Sequence, residues 1–241
     1  MTARPTAGDA RPARASAKGA CLLVVAKAPV AGLAKTRLAR VVGDRAAAGL
    51  AAAALLDTLE AVLATPGTVP VVALTGQLEA ASRQAELVEL LARCTVIPQR
   101  GADLGERLAN AHLDVAAEFA GMPVFQIGMD TPQVRPELLA ASVSALAETD
   151  AVLGPAADGG WWGLGLRSPA RASVLRAVPM SRGDTGMRTL FALRGAGLRV
   201  GRLAALCDVD FMPDALRVAG MVPGSRFAEA VASLALMGAA G

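Results

Sequence analysis

Short apolar segments alternate with helical patterns along residues 20–237, and this alternation restricts the chain to few folds. Segment 20–26, ACLLVVA, is apolar throughout and precedes a loop with proline and glycine, which is typical of a strand buried on both faces. Segment 44–64 repeats leucine and valine at spacings of three to five residues, and Pro66-Gly67 follows it, which indicates a helix. The alternation predicts an α/β fold whose mostly parallel sheet carries helices on both faces.

The predicted elements follow one another without a long linker, so we expect one domain over residues 19–241. The close pair at 151–153 and 161–166 breaks the alternation, and we expect it to supply an antiparallel edge. Strands are predicted at 20–26, 69–74, 95–97, 124–127, 151–153 and 161–166, and a strand or extended stretch is predicted at 200–206. Helices are predicted at 44–64, 78–93, 104–120, 136–146, 168–176, 185–195, 213–219 and 225–237.

The N-terminal residues, the lack of a long apolar run and the cysteines together indicate where in the cell the protein is expected. Residues 1–18 are rich in Ala, Arg, Pro and Thr and lack the apolar region of a signal peptide, so we predict a disordered tail, with a mitochondrial-type presequence as the alternative. No apolar run reaches about 18 residues without a charge or a proline, which argues against a membrane span. Cys21, Cys94 and Cys207 are far apart and resemble reduced thiols, so we expect a cytoplasmic protein.

Charge and histidine content exclude several function classes. The net charge is +3, and no run of Lys and Arg is interleaved with aromatic residues, so nucleic acid is not an expected partner. His112 is the single histidine, which excludes a zinc-protease motif and argues against a structural zinc site. A Ser-His-Asp triad would need His112 as its base. Because His112 lies on a helical pattern, we expect a surface or hydrogen-bonded side chain instead.

The segment VFQIGMDTP, residues 124–132, places Asp130 just beyond the end of a predicted buried strand. Ligands of open α/β sheets bind beyond the carboxyl ends of the strands. A carboxylate there can hold a divalent metal against phosphate oxygens, since Mg²⁺ takes one or two protein carboxylates and completes its shell with water and substrate. Asp130 is therefore a candidate metal ligand and catalytic residue. The alternative is a turn in which Asp130 accepts a nearby backbone N–H.

The loop KAPVAGLAKTRLAR, residues 27–40, carries the cations Lys27, Lys35 and Arg37 between a predicted strand and a predicted helix. Phosphate groups need positive charge and several hydrogen-bond donors, so these three side chains are candidate phosphate ligands. Neither the Walker A pattern nor GxGxxG is present, which argues against a P-loop enzyme and a dinucleotide oxidoreductase. The alternative is a solvated loop whose charges face water.

The segment PAADGGWWGLGL, residues 155–166, combines a tight turn with two tryptophans. Gly159 and Gly160 permit a positive φ or close approach of a ligand to the backbone. Asp158 is a candidate hydrogen-bond acceptor for a sugar or acceptor hydroxyl, and Trp161 or its neighbour could stack on a ring. The alternative is a plain hairpin turn with one tryptophan in the core.

Two further polar segments follow. In CDVD, residues 207–210, strand alternation places Asp208 and Asp210 on the same face, and one of them is a candidate second metal ligand. The alternative is that one caps the helix that begins near Pro213. In SRGDTG, residues 181–186, Arg182 is a candidate phosphate ligand, and a helix-capping loop is the alternative.

Five motifs in this order resemble the radical-SAM/selenodomain-associated transferase family 1. They are AKAPVAGLAKTRLA, DLGERLANA, IGMDTP, GPAADGGWWGLGL and DVD. That family is grouped with GT-A-fold glycosyltransferases, and one branch is associated with arsenosugar biosynthesis. The KTRL segment is also similar to 2-phospho-lactate guanylyltransferase, and DVD resembles the terminal metal-proximal motif of molybdenum-cofactor-type nucleotidyltransferases.

The resemblance implies a GT-A-like nucleotide-binding fold with Asp130 as metal ligand and Asp210 as the second one. It implies that Lys27, Lys35 and Arg37 contact phosphates, and that Asp158, Gly159 and Gly160 face the acceptor. The chain departs from the family pattern at Met129, at Trp161-Trp162 and at MSRGDT, residues 180–185. These departures fall on the expected acceptor side.

Residues and resemblance together predict an enzyme that uses Mg²⁺ or Mn²⁺, a nucleotide-sugar donor and a small-molecule acceptor. Catalysis is assigned to Asp130 and Asp158, and acceptor binding to Gly159, Gly160 and Trp161. The alternative is a nucleotidyltransferase that joins a nucleoside triphosphate to a small phosphorylated acceptor and releases pyrophosphate. A protein that binds nucleotide without catalysis is the alternative of another class. The nucleotide base, the acceptor and the oligomeric state stay open.

Overall fold

The computed structural model describes residues 19–239, without the side chains of 237–239, so the tail predicted at 1–18 lies outside the described residues. Seven strands form a sheet of order β3-β2-β1-β4-β6-β5-β7, which confirms the predicted α/β class. The strands are β1 Ala20–Lys27, β2 Thr68–Thr75, β3 Thr95–Pro98, β4 Val124–Gly128, β5 Ala151–Pro155, β6 Trp161–Leu166 and β7 Val200–Arg202.

Eight α-helices and three 3₁₀ segments are assigned within residues 19–239. The α-helices are α1 Thr36–Val42, α2 Asp44–Leu63, α3 Gln84–Leu91, α4 Leu104–Glu118, α5 Pro136–Ser144, α6 Thr185–Gly195, α7 Met212–Met221 and α8 Arg226–Ala239. The 3₁₀ segments are Leu78–Ala80, Ala145–Ala147 and Pro169–Ala177.

The direction of β6 differs from that of every other strand. It pairs antiparallel with β4 on one side and with β5 on the other, whereas β1 pairs parallel with β2 and β4, and β5 pairs parallel with β7. The predicted antiparallel pair is therefore confirmed, but its predicted place at the edge was wrong, because β6 and β5 lie inside the sheet and β7 forms the edge. The reversal places the start of β6 at the same edge as the carboxyl ends of β1 and β4.

Helices cover both faces of the sheet. Leu22, Val24 and Ala26 of β1 join a core with α2, α3 and α5, and Cys21 and Leu23 point to the other face, where α4 packs. Strand residues alternate between faces, so a strand that is apolar at every position can fill two cores at once. A third core joins α1 and α2 to α7 and α8.

Helix α2 is long and apolar enough to cross a membrane by length and composition, and 72% of its most apolar window is buried inside the protein. Its residues contact the sheet on one side and α8 on the other. A helix that is hydrophobic all round is typical of a core position.

Three predicted segments differ from the observed ones. The loop predicted at 27–40 contains α1, because Leu38 is buried against α2 and α7. The helix predicted at 78–93 is broken before α3, where Arg83 has φ +55. The helix predicted at 168–176 is a 3₁₀ segment. The strand or extended stretch predicted at 200–206 is a strand at its first three residues and makes a single bridge from Leu206 to Ala156.

Candidate active site

Two neighbouring cavities lie at the carboxyl edge of the sheet. The smaller one, about 270 Å³, is lined by the basic loop, including Lys27, Lys35 and Arg37. The larger one, about 690 Å³, extends from Gln126 on β4 to the Asp-Gly-Gly turn and the loop before α6. Four residues line both cavities: Arg37, Met129, Asp130 and Asp210. The fold thus brings motifs that are distant in sequence to one edge of the sheet, where they line two adjoining cavities.

Lys35 joins three segments at the boundary between the cavities. Its Nζ lies 2.7 Å from Asp130 Oδ2 and 3.3 Å from Asp210 Oδ1, and it also donates to the carbonyl of Val209. Burial opposes the charged form of Lys35, which is 13% exposed, but the two carboxylates more than offset it and its pKa lies above the ordinary value. Lys35 is therefore a fixed positive charge at the centre of the site.

The Asp130 carboxylate is held in place by Lys35 and by the shape of the preceding loop. Burial raises the pKa of Asp130, but the Lys35 ammonium more than offsets this and the pKa lies below the ordinary value. Gly128 leaves room for the carboxylate, because a Cβ there would lie 2.8 Å from Asp130 Oδ1. Asp130 is ionised and points into both cavities.

Backbone geometry supports the same location. Lys35 has φ +48 and precedes the first residue of α1, and Ser181, on the far wall of the larger cavity, has φ +58. Together with Arg83 they are the non-glycine residues of the described chain with positive φ. Left-handed non-glycine residues are costly and cluster at functional sites.

The other two cations of the basic loop are more open to solvent. Arg37 is 58% exposed, lies 2.8 Å from Asp210 Oδ2 through NH1, and has its guanidinium 5.7 Å from the centre of the Phe211 ring. Lys27 donates from Nζ to the carbonyl of Leu33 at 3.0 Å and is exposed. Both line the smaller cavity, so both can reach a ligand there without breaking a buried contact.

Three carboxylates converge in the larger cavity. Asp158, Asp208 and Asp210 each offer an oxygen within 4.8 Å of the other two. Burial raises the pKa of Asp208 to about 6, and the negative charges of Asp158, Asp210 and Asp130 add to this effect. Carboxylates held this close repel one another, and hard oxygen ligands of this kind suit Mg²⁺ or Mn²⁺. The residues present therefore fit a divalent cation.

The grouping changes the sequence-based picture of the metal site. Asp210 lies in the acidic cluster as expected, whereas Asp130 is paired with Lys35 and lies outside the group of three. The alternation pattern did not distinguish Asp208 from Asp210 as a metal ligand, and the structure places both in the cluster. Asp214, not Asp208 or Asp210, accepts from the backbone N–H of Phe211 at the start of α7, so capping does not occupy either carboxylate of the DVD segment.

The Asp-Gly-Gly turn is fixed by packing against the loop before α6. Gly159 has φ +87, and a Cβ there would lie 1.9 Å from the carbonyl oxygen of Gly183. The carbonyl of Gly159 accepts from Gly186 N at 2.9 Å, and Asp158 Oδ1 accepts from Gly160 N at 2.8 Å. Gly159 is thus required by the fold, while Asp158 and Gly160 line the larger cavity.

Trp161 and Arg182 line the larger cavity as predicted, and Trp162 is the core tryptophan. Trp162 donates from Nε1 to the carbonyl of Ala204 at 2.9 Å and packs edge-on against Phe125. Arg182 is exposed and lies 3.7 Å from Asp184 through Nε, so its guanidinium is held only loosely. Trp162 also lines this cavity, but it is buried, whereas Trp161 is half-buried and is the more accessible ring of the pair.

Sequence reasoning missed Gln126 and Thr131, which both line the larger cavity. His112 is fully buried, and its Nε2 lies 3.0 Å from Gln126 Oε1. Burial lowers the pKa of His112 to about 4, with the contact to Gln126 acting in the opposite direction, so the ring is neutral at pH 7. The hydroxyl of Thr131 is buried without a hydrogen-bond partner among the described residues. The sequence signal that could have identified Gln126 was its position as a polar residue inside an otherwise apolar strand.

Solved structures with a similar fold include three informative relatives. A candidate nucleotide-diphospho-sugar transferase from Desulfovibrio desulfuricans G20 has 28% identity and a TM-score of 0.78, over 92% of this chain and 95% of that one. The 4-diphosphocytidyl-2C-methyl-D-erythritol synthase of Anaerococcus prevotii DSM 20548 has 12% identity and a TM-score of 0.54, over 90% and 96%. CMP:2-keto-3-deoxy-manno-octonic acid synthetase complexed with CTP has 13% identity and a TM-score of 0.52, over 83% and 95%.

The synthase and the synthetase, at 12% and 13% identity, establish a shared fold. The Desulfovibrio desulfuricans protein, at 28% identity, is similar over nearly the whole of both chains. A search of curated protein sequences gave no match. A family profile matches residues 58–182, a little over half of the chain, which include Asp130, Asp158 and Arg182 but neither the basic loop nor the DVD segment. By that match, the chain belongs to the bacterial family described as uncharacterized protein conserved in bacteria (DUF2064).

Proposed function

We propose that this protein is a metal-dependent transferase that takes a nucleotide-activated sugar as donor and a small molecule as acceptor. The observation that carries the proposal is the cluster of Asp158, Asp208 and Asp210 beside the Lys35–Asp130 pair at the carboxyl edge of the sheet. This edge is where ligands bind in open α/β folds. The structural likeness to a candidate nucleotide-diphospho-sugar transferase supports the same reaction class.

The acidic cluster would hold Mg²⁺ or Mn²⁺. Three carboxylates that repel one another are stabilised by a divalent cation, and Asp208, with its raised pKa, gains most from the added positive charge. When bound, the cation would neutralise charge on the diphosphate leaving group. Asp130, the family-implied ligand, would instead hold Lys35 in position beside the cluster.

The cations of the basic loop would bind the diphosphate. Lys35 is fixed by two carboxylates, and Lys27 and Arg37 reach solvent in the smaller cavity. Positive groups held in place before the ligand arrives stabilise developing negative charge without reorganisation. On the other side, Asp158 and Trp161 face the larger cavity, where an acceptor hydroxyl and a sugar ring would lie.

A thermal-shift screen tests nucleotide binding. UTP, GTP, CTP, ATP and their sugar diphosphates are each added with and without Mg²⁺ or Mn²⁺. We expect a metal-dependent rise in melting temperature for one base, because a ligand that binds only the folded state stabilises it by mass action. Asp210→Asn should remove the shift, and Glu118→Gln, at an exposed position of α4, should retain it. No shift with any nucleotide would contradict the proposal.

A product assay separates glycosyl transfer from nucleotidyl transfer. Release of a nucleoside diphosphate identifies glycosyl transfer, whereas release of pyrophosphate identifies nucleotidyl transfer to a phosphorylated acceptor. The second reaction is favoured by the number of cations at the site, since Lys27, Lys35, Arg37 and Arg182 together suit a triphosphate. Tight nucleotide binding without turnover for any donor would favour a non-catalytic nucleotide-binding protein.

The narrower family assignment and the location are also proposals. Five motifs in order support the radical-SAM/selenodomain-associated transferase family 1 within the bacterial family. The cysteine pattern supports a cytoplasmic location.

A further inference from the structure

Gln126 lines the larger cavity, and no role is assigned to it so far. It is 2% exposed and lines the cavity, and its strand neighbours Leu23 and Leu164 are fully buried leucines. Leu104 and Leu108, one helical turn apart on α4, line the same cavity, and His112 follows one turn later. Along its strand neighbours and α4, Gln126 is therefore next to leucines and to His112.

The contact with His112 decides which way the Gln126 amide points. Nε2 of the neutral ring lies 3.0 Å from Gln126 Oε1, and Nδ1 has no hydrogen-bond partner among the described residues. If the amide were reversed, its NH₂ would donate to Nε2, and the ring proton would sit on Nδ1 as a buried N–H without an acceptor. Orphaned buried N–H groups are rarer than unpaired acceptors, so the ring carries its proton on Nε2 and donates to Gln126.

This orientation leaves the NH₂ group of Gln126 directed away from His112. Within residues 19–239, Nε2 of Gln126 makes no hydrogen bond to the protein. The buried Thr131 hydroxyl, also in the cavity lining, lacks a hydrogen-bond partner as well. The Thr131 hydroxyl is sealed from the cavity, whereas Nε2 of Gln126 is not fully buried. The amide N–H of Gln126 is therefore the unpaired donor that a ligand in the cavity can reach.

We propose that Gln126 is a specificity-determining residue that donates its amide N–H to an uncharged oxygen of the group lying beyond the diphosphate. The leucines next to Gln126 and its neutral amide suit a hydroxyl, ether or carbonyl oxygen on a carbon skeleton. That group is either the sugar of the donor or the body of the acceptor. This inference rests on the proposed function, because the diphosphate defines which end of the ligand reaches Gln126.

The single histidine makes the contact measurable in the full-length protein. With ¹⁵N-labelled histidine, NMR reports the ring of His112 alone, and we expect the Nε2–H tautomer in the free protein. In one arm, UDP, GDP, CDP and ADP are compared with their glucose esters in the presence of Mg²⁺. In the other arm, glucose 1-phosphate is added to protein saturated with the non-hydrolysable α,β-methylene triphosphate of the preferred base. A shift of the His112 signal in the first arm assigns the donor sugar, and a shift in the second assigns the acceptor.

Two substitutions test the hydrogen bond itself. Q126E keeps an oxygen for the His112 N–H but replaces the cavity-facing donor with an acceptor, and Q126L removes the donor without adding charge. Both should weaken the binding of the probe that shifts the His112 signal by about tenfold, and change that of the bare nucleoside diphosphate by less than about twofold. If Q126L does not fold, Q126E and the NMR arms carry the test.

Three outcomes would overturn the inference. One is weaker binding of the probe to Q126E but not to folded Q126L, which indicates charge repulsion alone. Another is unchanged binding with both variants. The third is an unmoved His112 signal in both arms while nucleotide binds. Absence of any nucleotide binding would remove the proposed function together with this inference, so the two failures are distinguishable.

Discussion

The Lys35 ammonium lies 2.7 Å from the Asp130 carboxylate, and this contact joins the loop after β1 to the loop after β4 across 95 residues of sequence. Lys35 is 13% exposed and Asp130 is 35% exposed, so water only partly screens the pair. The same lysine reaches Asp210, which adds a third segment from the end of the chain. The pair therefore connects segments that are distant in sequence and places charge at the site.

We expect Lys35→Met to lower the free energy of unfolding by roughly 1–3 kcal/mol, because it leaves the half-buried Asp130 carboxylate without its cation. Asp130→Asn in the same chain should recover part of the loss, so that a double-mutant cycle in urea gives a coupling of about 1 kcal/mol. The matched control is the more exposed Arg100–Asp114 pair, for which about 0.5 kcal/mol or less is expected. Equal coupling in the two cycles would contradict the special position of Lys35.

Asp208→Asn should have opposite effects with and without metal. In EDTA the variant should be as stable as the wild type or more stable by about 0.5–1 kcal/mol, since it removes one of three mutually repelling carboxylates. Its affinity for Mn²⁺ should fall about tenfold or more, because one ligand of the proposed site loses its charge. Calorimetric titration and thermal denaturation measure the two quantities. Loss of stability in EDTA would show instead that the carboxylate supports the fold.

The stability of the protein should depend on the ionisation of His112 in a defined direction. Burial lowers the pKa of His112 in the folded state to about 4, below the unfolded value of 6.5. The contribution of the neutral ring to the free energy of unfolding is therefore fully present above pH 6.5 and is lost as the pH falls toward 4. From pH 7 to pH 5 this contribution amounts to ~2 kcal/mol.

The wild type must be compared with His112→Gln, because Asp208 titrates in the opposite sense. The pKa of Asp208 is raised to about 6, so ionisation of Asp208 costs stability as the pH rises from about 4 to 6. Urea unfolding at pH 7 and pH 5 gives the difference between the two proteins. If His112→Gln loses as much stability as the wild type between these pH values, the neutral buried ring is not the cause.

Gly159→Ala should destabilise the protein by roughly 2–4 kcal/mol, because the residue has φ +87 and a Cβ would lie 1.9 Å from the Gly183 carbonyl oxygen. Gly49→Ala is the matched control, since this helical glycine has no neighbour within 4 Å of an added Cβ and should gain about 1 kcal/mol. Chemical denaturation measures both. If Gly159→Ala leaves the stability unchanged but weakens ligand binding, the acceptor-binding role predicted for Gly159 is supported instead.

The fold was largely predictable from sequence because strands buried on both faces leave a plain signal. Segment 20–26 is apolar at every position, which suits a strand between two layers of helices, and it forms β1 in the interior of the sheet. The place of β6 was not predictable in the same way. The short turn before it indicated an antiparallel pair, but which neighbour takes the other side of β6 depends on packing across the sheet, which local pattern does not encode.

The site was predictable as a location but not in its pairing. The rule that ligands bind at carboxyl ends of strands brought Asp130, Asp158 and Asp210 to one crevice before any distance was known. It did not say that Asp130 would take Lys35 as its partner and leave Asp208 to complete the acidic cluster. Such choices depend on differences of a few ångströms between loops that are distant in sequence.

The two outermost strands, β3 and β7, are the shortest ones, with four and three residues. β3 ends in Pro98, which has no N–H, and β7 ends in Arg202, a charged residue. An exposed strand edge invites another chain to add to the sheet, and short edges with proline or charge discourage this pairing. Both edges of the sheet therefore disfavour strand addition, and the helical surfaces offer the more favourable route for self-association of the described residues.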